Sequence, residues 1–91
     1  MIAILFSTDG TISEVAIKCF VEAQAIVGGL VEIVYFDNEN VLLLNEEGRG
    51  LELPPNPFLF FEKEIVAGNV LLAKTKDLDN IPYELKESER K

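Results

Sequence analysis

Histidine is absent from this 91-residue chain, and cysteine occurs only once. Without histidine, the chain lacks the side chain that most often transfers protons near neutral pH and most often binds transition metals. The single cysteine, Cys19, has no intrachain partner for a disulfide, which fits a reducing compartment. We therefore expect no catalytic residues, no metal site and no cofactor, and we expect a cytoplasmic protein.

Positive charge is also scarce. The chain has 16 acidic and 8 basic residues and a formal charge of −8, and residues 1–73 hold only three cations, Lys18, Arg49 and Lys63. Such a surface repels the phosphate backbone of nucleic acids and anionic membranes. No apolar run is long enough to span a bilayer. We therefore expect neither DNA nor a membrane as a partner.

The chain does have enough apolar residues for one core. Hydrophobic residues make up 48% of the sequence, which is enough for a single small domain without disulfides or a structural metal. The sequence becomes polar after Lys74. We predict one domain over residues 1–75 and a polar C-terminal arm over residues 76–91, anchored by Ile81, Tyr83 and Leu85.

The first third of the chain predicts a strand followed by a helix. Residues 1–6 form a short apolar run that ends in turn residues. Apolar residues then recur at steps of three and four, and Thr11 and Glu14 have the spacing of a capping box. These features predict one amphipathic helix over residues 12–27, which Gly28 ends in a left-handed conformation.

The remainder predicts an antiparallel sheet. Residues 30–36 and 41–44 are β-branched, aromatic and aliphatic runs on either side of a polar turn, which is typical of a hairpin. Residues 69–73 resemble a closing strand. We therefore expect an α+β fold in which one amphipathic helix packs on a mostly antiparallel sheet of about four strands.

Residues 45–57 predict an ordered loop. Its prolines remove the N–H donors that a central strand needs. Glu46, Glu47 and Glu52 have the chemistry to bind a divalent cation, but they lack the spacing of a calcium loop, so we interpret them as a solvated acidic loop. Cys19 falls on the apolar face of the predicted helix and is interpreted as a small buried hydrophobic residue.

Four residues of this region are candidates for ligand binding. Arg49 lies in a glycine-flanked turn, where its guanidinium has access to a phosphate or carboxylate, or pairs with a neighbouring glutamate. Asn45 and Asn56 bracket the loop and either bind a ligand or cap turns. Phe58 begins an apolar cluster and either packs in the core or stacks on a base.

Two segments carry more apolar surface than one helix can cover. Residues 30–36 and 58–61 both have apolar side chains on the two faces of any strand that they form. We therefore predict self-association as a dimer or higher homo-oligomer.

Three stretches in order resemble a known family. They are Val-Gly-Gly at residues 27–29, Asn-Glu-Glu-Gly at 45–48 with Leu-Pro-Pro-Asn at 53–56, and Ile-Val-Ala-Gly-Asn-Val at 65–70. Together they resemble a family of small phage and mobile-element proteins catalogued as a domain of unknown function. That family resembles the phage Thoeris anti-defence proteins, which sequester cyclic ADP-ribose signals, and in some members cyclic oligonucleotides, without destroying them.

The resemblance implies a noncatalytic, phage-type protein that sequesters a small cyclic nucleotide immune signal in the host cytoplasm. It places Asn56 and the neighbouring Arg49 in a site between subunits, and we add Asn45 and Phe58 as ligand-binding candidates. Charge and size support an alternative: an acidic protein-interaction module or inhibitor that binds a basic host protein.

Overall fold

The computed structural model describes residues 1–47, 52–61 and 64–81 of the chain. Five strands form one antiparallel sheet in the order β2-β1-β7-β4-β3, and β5 pairs with β6 in a second sheet. The predicted α+β fold is confirmed, with five strands in the main sheet rather than four and with two short helices. The elements are β1 (Ile2–Phe6), β2 (Ile12–Ala16), α1 (Phe20–Val27), β3 (Val31–Tyr35), β4 (Asn40–Asn45), β5 (Pro55–Phe61), β6 (Glu64–Ala67), β7 (Val70–Lys74) and α2 (Thr75–Asn80).

The predicted helix over residues 12–27 is wrong in its first half. Residues 12–16 form β2, which pairs with β1, and α1 begins only at Phe20. The capping box is wrong as well, because the Thr11 hydroxyl donates to Asp9 Oδ1 at 2.6 Å within the turn between β1 and β2. Only Val15 of β2 is half-buried, and the other four residues of the strand, including Ile12, are exposed.

The end of α1 follows the prediction. Gly28 adopts the left-handed conformation with φ of 90°, and its N–H donates to the carbonyl of Gln24 at 2.9 Å. A residue without a Cβ enters this conformation at low cost. The chain can therefore reverse directly from the helix into β3, and β3 and β4 form the predicted hairpin.

The main sheet buries a core on the face that α1 and α2 cover. Leu43 and Leu71 lie opposite each other on β4 and β7, and both pack with Ala23 and Val27 of α1. Leu78 and Ile81, at the end of the described chain, pack against the same core. Of the three predicted anchors, Ile81 packs against the core, whereas Tyr83 and Leu85 lie outside the described residues with the rest of residues 82–91.

The other face of the main sheet carries a second, smaller core. It consists of Leu42, Leu44 and Val70 together with Val66 of β6. The second sheet therefore packs on this face through β6. Residues 55–57, predicted as loop, begin β5, although the prediction that this segment is not a central strand of the main sheet is confirmed.

The strand after Gly68 has a more central place than the sequence suggested. β7 lies in the middle of the main sheet, between β1 and β4, rather than closing its edge. In the described part of the chain, neither helix has the length and apolarity to cross a membrane.

Candidate functional site

Asn45 joins the end of β4 to the end of α1. Its side chain is 4% exposed, and its Nδ2 donates to the carbonyl of Val27 at 3.1 Å. Its Oδ1 accepts from the N–H of Glu47 at 2.7 Å, which closes the turn after β4. Both ends of the amide therefore have partners within the protein. A Cβ on Gly29 would lie 3.2 Å from Asn45 Nδ2, so the double glycine makes room for this amide.

Asn56 has an equivalent place in the second sheet. Its side chain is 1% exposed, and its Nδ2 donates to the carbonyls of Phe6 at 2.8 Å and Gly68 at 3.1 Å. Its Oδ1 accepts from the N–H of Phe58 at 3.0 Å. These bonds connect β5 to the end of β1 and to the turn before β7.

A third asparagine completes this network and was not among the predicted site residues. Asn69 donates from Nδ2 to the carbonyl of Ile26 at 3.2 Å and accepts from the N–H of Thr8 at 3.1 Å. Carbonyls in the last turn of a helix have no intrahelical partner, so Asn45 and Asn69 together cap the end of α1 with side-chain amides. Asn69 stands in one of the sequence motifs, between Gly68 and Val70, which was the signal that pointed to it.

The sequence motifs therefore meet in space and support one another. Gly68 donates its N–H to the carbonyl of Pro54 at 2.7 Å, and a Cβ on Gly68 would lie 3.0 Å from Leu53 Cδ1. The same Cβ would lie 3.9 Å from the carbonyl oxygen of Val27, to which Asn45 donates. These glycines and asparagines hold the two sheets and α1 together.

This network determines what the predicted ligand-binding residues contact. The sequence left open whether Asn45 and Asn56 cap turns or bind a ligand. The turn-capping interpretation explains the hydrogen bonds that both side chains make. Phe58 is half-buried and packs against Phe6, with ring centroids 5.7 Å apart and planes tilted by 59°. Arg49 lies outside the described residues. The ligand-binding role of all four residues stays a prediction.

The acidic and thiol side chains of the described chain show no joint site. Glu46, Glu47 and Glu52 are exposed, as expected for a solvated loop. Within residues 1–47, 52–61 and 64–81, no three His, Cys, Asp or Glu side chains are grouped so that they could bind one metal ion. Cys19 is fully buried at the start of α1, which confirms its interpretation as a small buried hydrophobic residue.

Among the residues whose exposure the structure describes, the most exposed large apolar side chains lie at the edge of the main sheet at β3, and we call residues 30–36 the β3 edge. Leu30, Tyr35 and Phe36 are 57%, 69% and 64% exposed. β3 is the last strand of its sheet, so no described strand lies beyond it. The sequence indicates that this segment is apolar on both faces, but only the fold reveals that its backbone forms a sheet edge.

The main-chain groups of the β3 edge alternate in direction. The carbonyl of Leu30 accepts from the N–H of Glu46 at 2.8 Å, and the N–H of Phe36 donates to the carbonyl of Asn40 at 3.0 Å. Every second residue of an antiparallel pair makes such bonds. The N–H and C=O groups of Val31, Ile33 and Tyr35 therefore point away from β4 and towards solvent.

Acidic residues lie within the β3 edge and next to both of its ends. Residues 19–47, which include α1 and the hairpin, contain no lysine or arginine. Glu32 lies within β3 and is exposed, Asp37 follows the edge, and Glu46 is paired beside Leu30. The six acids of the segment are Glu22, Glu32, Asp37, Glu39, Glu46 and Glu47.

Hydrogen bonds stabilise the ionised form of Asp37 in the turn after β3. They hold the pKa of this carboxyl below its ordinary value of 3.8, mainly through the N–H of Glu39 and then through the Asn40 side chain, with a further effect from the positive charge of Lys74. Asp37 Oδ1 accepts from the N–H groups of Glu39 and Asn40, each at 2.8 Å. The acid at this end of the edge is therefore ionised near neutral pH.

Two of the three lysine and arginine side chains in the described residues line a cleft beside the hairpin turn. The cleft has a volume of about 270 Å³ and lies between the hairpin turn and the start of α2. The hydroxyl of Thr75 is buried there without a hydrogen-bond partner. The cleft is lined by Asn38, Glu39, Lys74, Thr75 and Lys76.

Comparison with known proteins identifies a family but not an activity. The model of a family described as a domain of unknown function, DUF3846, matches residues 1–88, which is nearly the whole chain. No curated protein and no solved structure matches the sequence of this chain.

Proposed function

The chain belongs to the DUF3846 family, a domain of unknown function, and we propose from its surface that it is a noncatalytic acidic module that binds a basic protein through the β3 edge. The observation that carries this proposal is that exposed apolar side chains and acidic side chains lie in the same segment. Leu30, Tyr35 and Phe36 are exposed within a segment that holds six acids and no cation. Exposed apolar side chains next to charges of one sign are typical of protein interfaces.

The hydrogen-bond network makes the asparagine loop a weaker candidate for the binding surface. The amides of Asn45 and Asn56 both donate to main-chain carbonyls and accept from main-chain N–H groups. A ligand that used these amides would have to replace bonds that join α1, β1 and β5. The β3 edge presents apolar surface and charge without any such cost.

Fluorescence anisotropy with labelled cationic peptides tests the proposal. The peptides are rich in lysine or arginine and include helical and extended sequences of equal charge. Glu32→Lys should weaken binding of the best peptide about tenfold, because it replaces an attractive charge in the centre of the β3 edge with a repulsive one. Higher salt should also weaken binding, because salt screens interactions between exposed charges.

Glu14→Lys is the matched control. Glu14 is an exposed strand acid on β2, at the opposite edge of the main sheet, and its replacement changes the net charge by the same amount. This variant should change affinity less than about threefold. Equal weakening by both variants, or no binding by any cationic peptide, would overturn the proposal.

Sequestration of a small cyclic nucleotide at a subunit interface is the second candidate function. The likeness to phage Thoeris anti-defence proteins motivates it, and the cleft with Lys74 and Lys76 supports it. Two lysines, an amide and a hydroxyl without a partner supply donors for a phosphate and a sugar. In the described part of the chain this cleft is a better place for an anion than the asparagine loop is.

Thermal-shift measurements with cyclic nucleotides and ADP-ribose derivatives test this second function, because a ligand that binds only the folded state raises its stability. If the cleft holds the phosphate, Lys74→Gln should reduce the shift and Lys18→Gln, on another surface, should not. If the loop holds it, Arg49→Ala should weaken binding by about 1.5–3 kcal/mol. The function is wrong if no nucleotide shifts the wild-type protein.

A further inference from the structure

We infer that the basic partner binds as an extended segment that adds a sixth strand to the main sheet alongside β3. This inference rests on the proposed function and specifies the conformation and sequence pattern of the partner. When an extended peptide adds a strand to a sheet edge, main-chain hydrogen bonds provide the affinity, and the alternate side chains of the peptide provide the specificity. The β3 edge supplies both.

In residues 1–47, 52–61 and 64–81 no strand pairs with the outer side of β3, so its outward main-chain groups are available for such a strand. Val31, Ile33 and Tyr35 turn their N–H and C=O groups away from β4, as the bonds at Leu30 and Phe36 establish. An edge of this kind is a template for another chain, and proteins protect such edges with proline, a bulge, a covering segment or charged side chains, of which β3 has one, Glu32. β3 contains neither proline nor a register shift.

The two faces of the sheet specify a different chemistry for alternate residues of the partner. Residues that lie directly opposite each other in paired strands share a face of the sheet. Partner residues hydrogen-bonded to Val31, Ile33 and Tyr35 would lie on their apolar face, whereas the residue opposite Glu32 lies on the other face. The partner therefore carries apolar residues, whose N–H groups bond to β3, opposite Val31, Ile33 and Tyr35, and a basic residue, whose N–H points away, opposite Glu32.

Charge complementarity selects this partner over a second copy of the chain. Glu32 lies at the centre of the edge, with Asp37 beyond one end and Glu46 beside the other. A second copy would bring another chain of charge −8 against the same acids. A basic segment instead gains attraction along the full length of the edge.

Three peptides of alternating lysine and valine test the inference through the peptide backbone. The first is unmodified, the second is N-methylated at its valines, and the third is N-methylated at its lysines. N-methylation removes a hydrogen-bond donor without changing charge. Methylated valines should weaken binding to the full-length protein more than about tenfold, whereas methylated lysines should change it less than about threefold.

A pair of protein variants tests the same bonds from the other side. Ile33→Pro removes an N–H that points to solvent, and proline is tolerated at such edge positions. Ile33→Ala removes apolar surface but keeps the N–H. The proline variant should lose peptide binding more than about tenfold, and the alanine variant should lose clearly less. Circular dichroism and thermal unfolding verify that both variants fold.

The outcomes separate this inference from the proposed function. If the unmodified peptide binds and both methylated peptides bind equally well, the partner does not add a strand, although the acidic module still stands. If no cationic peptide binds, both are wrong. If light scattering shows a dimer that Ile33→Pro abolishes while the peptides do not bind, a second copy occupies the edge and the inference is overturned.

Discussion

Buried and half-buried asparagine side chains join separate helices and strands of this small protein by hydrogen bonds to their main chain. Each amide offers two donors and an acceptor, so one side chain can satisfy main-chain groups from two segments at once. Asn56 does so for Phe6, Gly68 and Phe58, which belong to β1, the turn before β7, and β5. Because Asn56 is buried, a shorter apolar side chain would leave these groups without partners and without water.

We therefore predict that Asn56→Ala lowers the free energy of unfolding by about 1–3 kcal/mol, the range for a buried polar group that loses its partner. Urea unfolding followed by circular dichroism measures the change. Asn38→Ala is the control, because Asn38 is exposed in the hairpin turn and should change stability by less than about 0.5 kcal/mol. Equal losses for the two variants would show that the Asn56 amide does not stabilise the fold.

Gly68 and Gly10 provide a second comparison between single residues. Both have φ close to 90°, at 90° and 91°, but a Cβ on Gly68 would meet Leu53 Cδ1 at 3.0 Å, whereas a Cβ on Gly10 would meet nothing within 4 Å. Gly10→Ala should cost about 1–2 kcal/mol through backbone strain alone. Gly68→Ala should cost about 1 kcal/mol more, because Leu53 must move.

Urea unfolding of the two alanine variants under identical conditions measures this difference. Equal costs would mean that Leu53 yields without loss and that backbone strain is the whole effect. A larger cost for Gly10→Ala would contradict the packing argument.

The sequence alone does not decide whether these asparagines bind a ligand or cap turns. Asn45 and Asn56 stand next to residues typical of turns, and both the turn-capping role and the ligand-binding role fit that pattern. Their partners Val27 and Phe6 lie 18 and 50 positions away in the chain. No local pattern identifies such partners, so only the fold could reveal them.

At the scale of elements, local signals were sufficient where neighbouring residues form the structure. Gly28 ends α1 through a bond to Gln24, four residues earlier, and the hairpin of β3 and β4 follows from two apolar runs and a polar turn. The helix prediction failed over residues 12–16 because their apolar residues, at positions 12, 15 and 16, follow a helical spacing although the segment forms a strand. Pairing with β1, which is a tertiary contact, selects the strand.

The hairpin turn should respond to acid through Asp37. Hydrogen bonds favour the ionised carboxylate, so the pKa in the folded state lies below the ordinary value of 3.8. A lowered pKa contributes stability that is present above the pKa of the unfolded chain and is lost as the pH falls through the folded value. We therefore predict that the turn keeps its structure until the pH falls below 3.8.

A carbon-detected NMR titration of the Asp37 carboxyl measures this pKa directly, and the amide shifts of Glu39 and Asn40 should titrate with it, since both donate to Asp37 Oδ1. Asp37→Asn keeps an acceptor oxygen but does not titrate, so the two amide shifts should lose that transition. An Asp37 pKa at or above 3.8 would contradict the prediction.

Across the whole molecule, the charge of −8 is unevenly distributed: residues 19–47 carry six acids and no cation, and Lys74 lies near Asp37 at one end of the β3 edge. The sequence alone predicted the acidic character and the surplus of apolar surface. It did not predict that both would coincide at the β3 edge, because this requires knowing that β3 is the last strand of its sheet. The same edge is therefore the place where the predicted self-association and the proposed binding of a basic segment compete.

The two processes should respond to salt in opposite directions. Association of two acidic chains is opposed by repulsion, so salt that screens the charges should promote it, whereas the binding of a basic peptide should weaken. We predict that the mean mass measured by light scattering rises above 10.1 kDa as sodium chloride is raised from about 0.05 M to about 0.5 M. Ile33→Pro should reduce the rise if the copies pair through β3. A mass of one chain across the whole range, at tens of micromolar protein, would rule out the predicted self-association under these conditions. A mass that falls as salt rises would show that attraction between unlike charges, rather than apolar surface, holds the copies together.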